Sequence, residues 1–304
     1  MANKVVKFGG SSLADANQFR KVADIIKSDA KRKFVVPSAP GKRFSEDIKI
    51  TDMLYKCSEL AGSGMDFSED FQIIKDRYNG IISELGIDMS LEEEFDAIVK
   101  ELKAHPSRDF AGSRGEYLNG KVLAKYLGFN FVDAGDVIVF DTKGMLLLDE
   151  TVKAVRNALK NLDNAVIPGF YGRTTEGYIK TFSRGGSDVT GSIIANAVKA
   201  EIYENWTDVS GFLVADPRIV DNPDVIEVIT YRELRELAYM GASVLHEDAI
   251  FPVRSAGLPI NIKNTNRPQD AGTMIVSDDF DFSKESLNHT ITGIAGRKGF
   301  STIN

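Results

Sequence analysis

Apolar positions along the 304-residue chain follow two alternating rhythms. Short apolar, β-rich runs occupy Lys4–Phe8, Phe34–Ser38, Asn130–Ala134, Ala165–Gly169, Ala200–Trp206 and Pro259–Lys263. Between most of them apolar residues recur at helical spacing. This predicts helices over Ala16–Ser28, Ser68–Leu85, Leu91–Ala104, Gly115–Leu127, Thr151–Leu162 and Ser187–Lys199. Strands alternating with helices predict an α/β fold, a mostly parallel sheet covered on both faces. Several strands end in polar, glycine or proline residues, as expected at the C-terminal edge where such sheets bind ligands. Ser90-Leu91-Glu92-Glu93 reads as a capping box ahead of Phe95, Ile98, Val99 and Leu102. Gly86 and Pro106 close their helices. The helices between 68 and 104 read as an excursion from the sheet without chemistry. Gly172–Thr181 reads as a hairpin turn between two short strands.

Composition narrows the class. The chain is 43% hydrophobic and 27% charged, ordinary for a globular protein with ample core. Its net charge of −7 argues against a nucleic-acid binder, while leaving room for a local basic pocket. A single cysteine, Cys57, rules out an internal disulfide; it fits a reducing, cytoplasmic setting and reads as a half-buried helix residue. No apolar run reaches the ~20 residues needed to cross a bilayer, and no signal-peptide core opens the chain. His105, His246 and His289 lack metal spacing, and neither a nucleophile elbow nor a GxGxxG fingerprint occurs.

The candidate chemistry lies in two glycine pairs. Lys7-Phe8-Gly9-Gly10-Ser11-Ser12 follows a strand and precedes a helix. Glycines let backbone approach a ligand closely, helix-terminal N–H groups suit a phosphate, and Lys7 adds a mobile positive charge. The bland alternative is an ordinary strand-to-helix turn. Ser183-Arg184-Gly185-Gly186-Ser187-Asp188 repeats the logic, and two glycine-rich helix starts suit a single polyanion. Arg184 suits a carboxylate or phosphate fork. Asp188 either stabilises its helix dipole or holds a lysine or a substrate ammonium. Thr207 and Asp208, at a strand end, suit a ribose or base edge, and Arg218 a phosphate; by themselves they also read as a capped turn. Glu116 reads as a helix-start carboxylate, Ser38 as a hydroxyl-bearing turn, and Thr51 as a helix cap.

Taken together these segments resemble the aspartate kinases of the amino acid kinase family. The resemblance rests on Val6–Ser12, Ser113-Arg114-Gly115-Glu116, Ser183–Asp188, Trp206-Thr207-Asp208-Val209 and Ala215-Asp216-Pro217-Arg218. It also rests on Gly241–His246 and on Gly293–Phe300, the latter similar to the first strand of a regulatory ACT region. It implies a three-layer α/β/α sandwich with a mainly parallel eight-stranded sheet. It divides the chain into an amino-acid-substrate lobe (1–200), a nucleotide-binding lobe (201–289) and the start of a truncated ACT region (290–304). It implies ATP-dependent phosphorylation of the side-chain carboxylate of L-aspartate, the entry to lysine, threonine and methionine synthesis. Mg²⁺ would be held by ATP oxygens.

By the same resemblance Lys7 and Asp188 are catalytic: Lys7 stabilises the transferring phosphoryl and Asp188 orients Lys7 or the substrate ammonium. Phe8, Gly9, Gly10, Ser11, Gly185, Gly186, Thr207, Asp208, Leu213 and Arg218 line the nucleotide. Arg184 takes the substrate α-carboxylate, Glu116 its α-ammonium, and Ser38 and Thr51 supply hydroxyls. Two positions depart from the pattern. Ser243 stands where many relatives have a nucleotide-contacting lysine, with Arg218 or Lys263 expected to compensate, and Glu247 follows His246 where many have proline. The stop at Asn304 implies missing ACT modules and loss of feedback by lysine or threonine, and the resemblance implies a homo-oligomer in the full-length form. The alternatives are a kinase acting on glutamate or N-acetylglutamate, or a ligand-binding subunit without turnover.

Overall fold

A computed structural model describes residues 3–183, 185–239, 247–282 and 291–296. The chain runs β1 (Lys4–Phe8), a 3₁₀ turn (Gly10–Leu13), α1 (Ala16–Lys27), β2 (Arg32–Pro37), α2 (Ile50–Gly62), α3 (Ser68–Leu85), α4 (Glu92–Ala104) and α5 (Arg108–Leu127). It continues through β3 (Asn130–Phe131), α6 (Ala134–Val137), β4 (Val139–Phe140), α7 (Leu148–Leu159), β5 (Ala165–Val166), β6 (Tyr171–Thr174), β7 (Ile179–Thr181) and α8 (Gly186–Val198). Then come β8 (Ile202–Thr207), β9 (Val228–Thr230), α9 (Tyr231–Tyr239), α10 (Glu247–Ser255), β10 (Ile260–Asn264) and β11 (Thr273–Val276).

Eight strands form one sheet in the order β3-β5-β2-β1-β8-β10-β11-β9, parallel except where β11 runs against β10. A small β4-β6-β7 sheet flanks it and includes the expected hairpin. From β1 the chain first builds toward β2 and β5, then crosses to β8 and β10 on the other side. The C-terminal ends of β1, β2 and β8 therefore meet at a switch in strand order, the place where open α/β sheets form their ligand crevice.

Alternation along the strands fixes which side chains enter which layer. Val6, Phe8 and Trp206 pack into the core under α1, α2, α3 and α5. Val5 and Tyr203 pack into the opposite core under α7 and α8. Lys7, between Val6 and Phe8, thus emerges on the α8 face.

Several boundaries differ from the sequence expectation. Helix α5 begins at Arg108, with the Ser107 hydroxyl accepting the Phe110 N–H at 3.3 Å. Gly112 and Gly115 disguise its first two turns as loop. The Ser90 capping box does not form: α4 starts at Glu92, whose N–H is 3.3 Å from the Ser90 hydroxyl. Thr51 lies inside α2 instead of capping it, because Lys49 is the N-cap. Cys57 is fully buried, and burial pushes its thiol up to about 12, which makes it inert. Strands β9 and β11 are only three and four residues long, too short for a distinct periodicity.

Candidate active site

The first glycine loop is shaped by close backbone contact. The Gly9 N–H donates to the Trp206 carbonyl at 3.0 Å, and the Gly41 N–H donates to the Gly10 carbonyl at 2.8 Å. A Cβ on Gly10 would stand 2.9 Å from the Ala39 carbonyl, and one on Gly41 2.6 Å from the Gly10 carbonyl carbon. Only glycine permits this approach of the β1 loop to the β2 loop. The helical turn that follows is the four-residue 3₁₀ segment. The N-terminus of α1 is occupied by its own cap, the Asp15 carboxylate accepting from the Gln18 N–H. The expectation that α1 itself presents free N–H groups to a phosphate is therefore corrected.

The second glycine pair supplies the open helix end. Gly185, at a left-handed φ of 57°, is the N-cap of α8 and provides no side-chain cap, so the first N–H groups of the helix are uncapped by any side chain. A Cβ on Gly186 would collide with the Phe170 ring. Arg184 lies outside the described residues, as do Gly241–His246, with Ser243, and 297–304.

From α8, Asp188 reaches Lys7: Nζ lies 2.7 Å from Asp188 Oδ1, with the two side chains 9% and 19% exposed. Asn205, directly opposite Lys7 on β8, completes a triangle. Its Oδ1 accepts from Lys7 Nζ at 3.3 Å and its Nδ2 donates to Asp188 Oδ1 at 2.9 Å. The sequence reading missed Asn205. Its signal was the β1–β8 register, invisible until the strands are paired.

On the other flank, the Ser38 N–H donates to the Phe8 carbonyl at 3.0 Å, and the Asn119 amide of α5 donates to the Ser38 carbonyl at 2.6 Å. One residue on, the Ala39 N–H donates to the Glu116 carboxylate. Glu116 is a mid-helix residue of α5, not the helix-start carboxylate expected, and only 6% exposed. Burial raises its carboxyl to about 8 even though the Ala39 N–H, its own N–H and the Arg114 charge all favour ionisation. Its Oε2 and the Asn119 Oδ1 are both buried without a hydrogen-bond partner. Two orphaned acceptors one helical turn apart await a donor. Thr51 is half-buried in the first turn of α2, a helix packed against α5.

The excursion expected to carry no chemistry braces this flank. Arg77 of α3 donates to the carbonyls of Ala14 and Gly41 at 3.1 and 3.3 Å and to Asp47 at 2.6 Å. Arg43 and Arg77 together hold the Asp47 carboxyl far below the usual carboxylate range. Tyr78 donates to the Gly115 carbonyl at 2.7 Å.

The β8–β10 side is more open. The Thr207 hydroxyl donates to Asp208 at 3.1 Å, and Leu213 is 38% exposed. Arg218 is exposed and forks onto Asp216 through contacts of 2.5–3.1 Å. Lys263 donates to the Asp270 carbonyl at 2.7 Å and lies over Trp206, whose other cationic neighbour is Arg32. Trp206 Nε1 donates to buried Glu204, which also binds Arg32 and Lys4. That buried cluster was likewise unforeseen.

Comparison with known proteins identifies the family and the fold. The model of the amino acid kinase family matches residues 3–264. Aspartokinase 3 of Bacillus subtilis is 40% identical across 99% of this chain, which spans 68% of that protein. The crystal structure of the aspartate kinase of Clostridium acetobutylicum superposes with a TM-score of 0.90 at 54% identity, covering 97% of this chain and 66% of that one. E. coli aspartokinase III, solved with aspartate and ADP, superposes with a TM-score of 0.78 at 25% identity over 92% of this chain and 65% of its own. The chain belongs to the amino acid kinase family, and within it to the aspartokinases.

Proposed function

We propose that this chain transfers the γ-phosphoryl group of ATP to the side-chain carboxylate of L-aspartate. The observation that carries the reading is a chain of contacts along one edge of the sheet. Lys7 and Phe8 end β1; Ser38 bonds Phe8; Ala39 bonds Glu116. A buried cation for a phosphoryl group and a buried acceptor for an ammonium thus flank one crevice. The complex of E. coli aspartokinase III with aspartate and ADP supports the same pairing of ligands.

The acceptor carboxylate is an anion at neutral pH and needs no general base. One of its oxygens forms a bond to the γ-phosphorus, while the bond from that phosphorus to the β,γ-bridging oxygen breaks and its electron pair leaves on ADP. Lys7 spreads the charge on the transferring group, and the N–H groups around Gly9, Gly10 and Ser11 and at the start of α8 hold phosphate oxygens. Arg184 takes the α-carboxylate, Glu116 the α-ammonium, and Ser38 and Thr51 the remaining polar edge.

Residues 1–200 in this reading hold the amino acid. Residues 201–289 hold the nucleotide, with Thr207, Asp208, Leu213 and Arg218 along its edge. Among the described residues no group of three acidic, histidine or cysteine side chains gathers as a metal cage. Magnesium fits this donor set as an ion carried on the phosphate oxygens, where it would neutralise their charge. Among the described residues no helix is long and apolar enough to cross a membrane.

The test is ADP release with Mg-ATP and L-aspartate, trapping the acyl phosphate with hydroxylamine. Aspartate-dependent hydroxamate, absent with L-glutamate and N-acetylglutamate, is expected. Hydroxamate with either rival acceptor, or nucleotide binding without turnover on any, overturns the reading.

A further inference from the structure

The Lys7–Asp188 pair leaves one side chain unexplained. Asn205 is 4% exposed and points into the same face of the sheet as Lys7. A buried amide at this position has a cost that an aliphatic residue would avoid. Its two ends nevertheless have separate partners: Oδ1 accepts from Lys7 and Nδ2 donates to Asp188. Both Lys7 and Asn205 therefore contact Asp188 Oδ1. Two positions earlier on β8, the Tyr203 hydroxyl donates to the Asp188 backbone carbonyl at 3.2 Å. Strand β8 thus grips the first turn of α8 at two points.

The geometry has a consequence for the lysine. A lysine on a four-carbon stem carries three N–H donors and many rotamers. Here Asp188 and Asn205 engage Nζ from α8 and from β8. The atom stands 3.6 Å from where a Cβ on Gly9 would be, so the lysine is aimed at the glycine loop. An aspartate alone would let Nζ swing about a single ion pair; the bridging amide fixes both partners. We propose that Asn205 is a positioning residue that holds Lys7 and Asp188 as one rigid unit facing the phosphoryl group. This rests on the phosphoryl-transfer reading of the site.

Two substitutions separate the possibilities in the whole chain. N205A removes both contacts. N205D keeps an oxygen for Lys7 but loses the donor to Asp188 and places two carboxylates together. Both are expected to lower kcat by ~10–100-fold, the range a misplaced catalytic group costs, with KM for ATP and aspartate changing less than about threefold. Calorimetric titration with ADP measures nucleotide affinity in each variant. An unchanged ADP midpoint and melting temperature show that the fold is kept. N205S replaces N205A if the alanine variant does not fold.

A kcat within twofold of wild type in N205A, or wild-type turnover in N205D, overturns the proposal. So does a loss of kcat that merely tracks a loss of fold. If the wild-type chain itself turns over no acceptor, the functional reading has failed instead. The preference for a β,γ-imido ATP analogue over ADP then still reads the aim of Lys7. It should fall ~10-fold in N205A, and an unchanged preference contradicts the proposal.

Discussion

The two flanks of the crevice are built on opposite terms. On the β2–α5 side the key groups are buried and short of partners: Glu116 keeps an orphaned oxygen and so does Asn119. On the β8–β10 side the candidate contacts are more open and already satisfied by one another, Thr207 with Asp208 and Arg218 with Asp216. The first flank carries its desolvation cost in the free protein and recovers it when a cationic ligand arrives. In the function proposed above, the second gives up exposed contacts worth little in water and takes new ones from the nucleotide. Specificity belongs where an unmet buried group penalises the wrong ligand, so the proposed function makes the β2–α5 flank the selective one.

Lys7, between the flanks, gives the largest expected effect. Lys7→Ala should lower kcat by ~10³-fold, as loss of a preorganised charge stabiliser does, while ADP binding followed by calorimetry is retained. Equal loss in both would make Lys7 a binding residue only. Glu116→Gln should raise KM for aspartate by ~10–100-fold with little change in KM for ATP, the share of a charged hydrogen bond.

The same variant separates the flanks by pH. The Glu116 carboxyl is raised from 4.5 to about 8 in the fold, so the folded state holds its proton more tightly than the unfolded state. Its contribution to stability is fully present below pH 4.5 and is lost as pH rises through 8. Melting curves between pH 5 and 9 should show wild type falling relative to Glu116→Gln. Parallel curves would mean the carboxylate has found a partner.

A smaller effect is expected where the excursion braces the loops. Arg77→Leu leaves Asp47 with Arg43 alone and frees two carbonyls, and should lower Tm by about 5 °C and raise KM for aspartate more than KM for ATP. A uniform rise in both would place the brace on the wrong flank. The smallest belongs to Arg218→Ala, where an exposed pair is lost and KM for ATP should move by less than about threefold. A tenfold rise would show that Arg218 leaves Asp216 for the nucleotide.

Much of this was legible in the chain. Every strand inferred from an apolar run is found, and both glycine pairs open toward the same sheet edge, because short buried strands and φ-permissive turns leave local marks. What escaped depends on pairing across distance. Glu116 looked like a helix start because Gly112 and Gly115 break the helical pattern; those glycines instead let Tyr55 and Ala39 pack close to α5. Asn205 gained meaning only from the β1–β8 register, and Arg77 only from the packing of α3 against loops more than thirty residues away.

In the proposed function Glu116, its carboxyl raised to about 8 by burial, holds its proton until an ammonium group arrives. Calorimetric titration of L-aspartate at pH 7 in buffers of different ionisation enthalpy measures protons exchanged on binding. Ion pairing should drive Glu116 to ionise and release about one proton per aspartate bound, a release absent in Glu116→Gln. A binding heat that is independent of buffer in the wild-type chain would contradict the account.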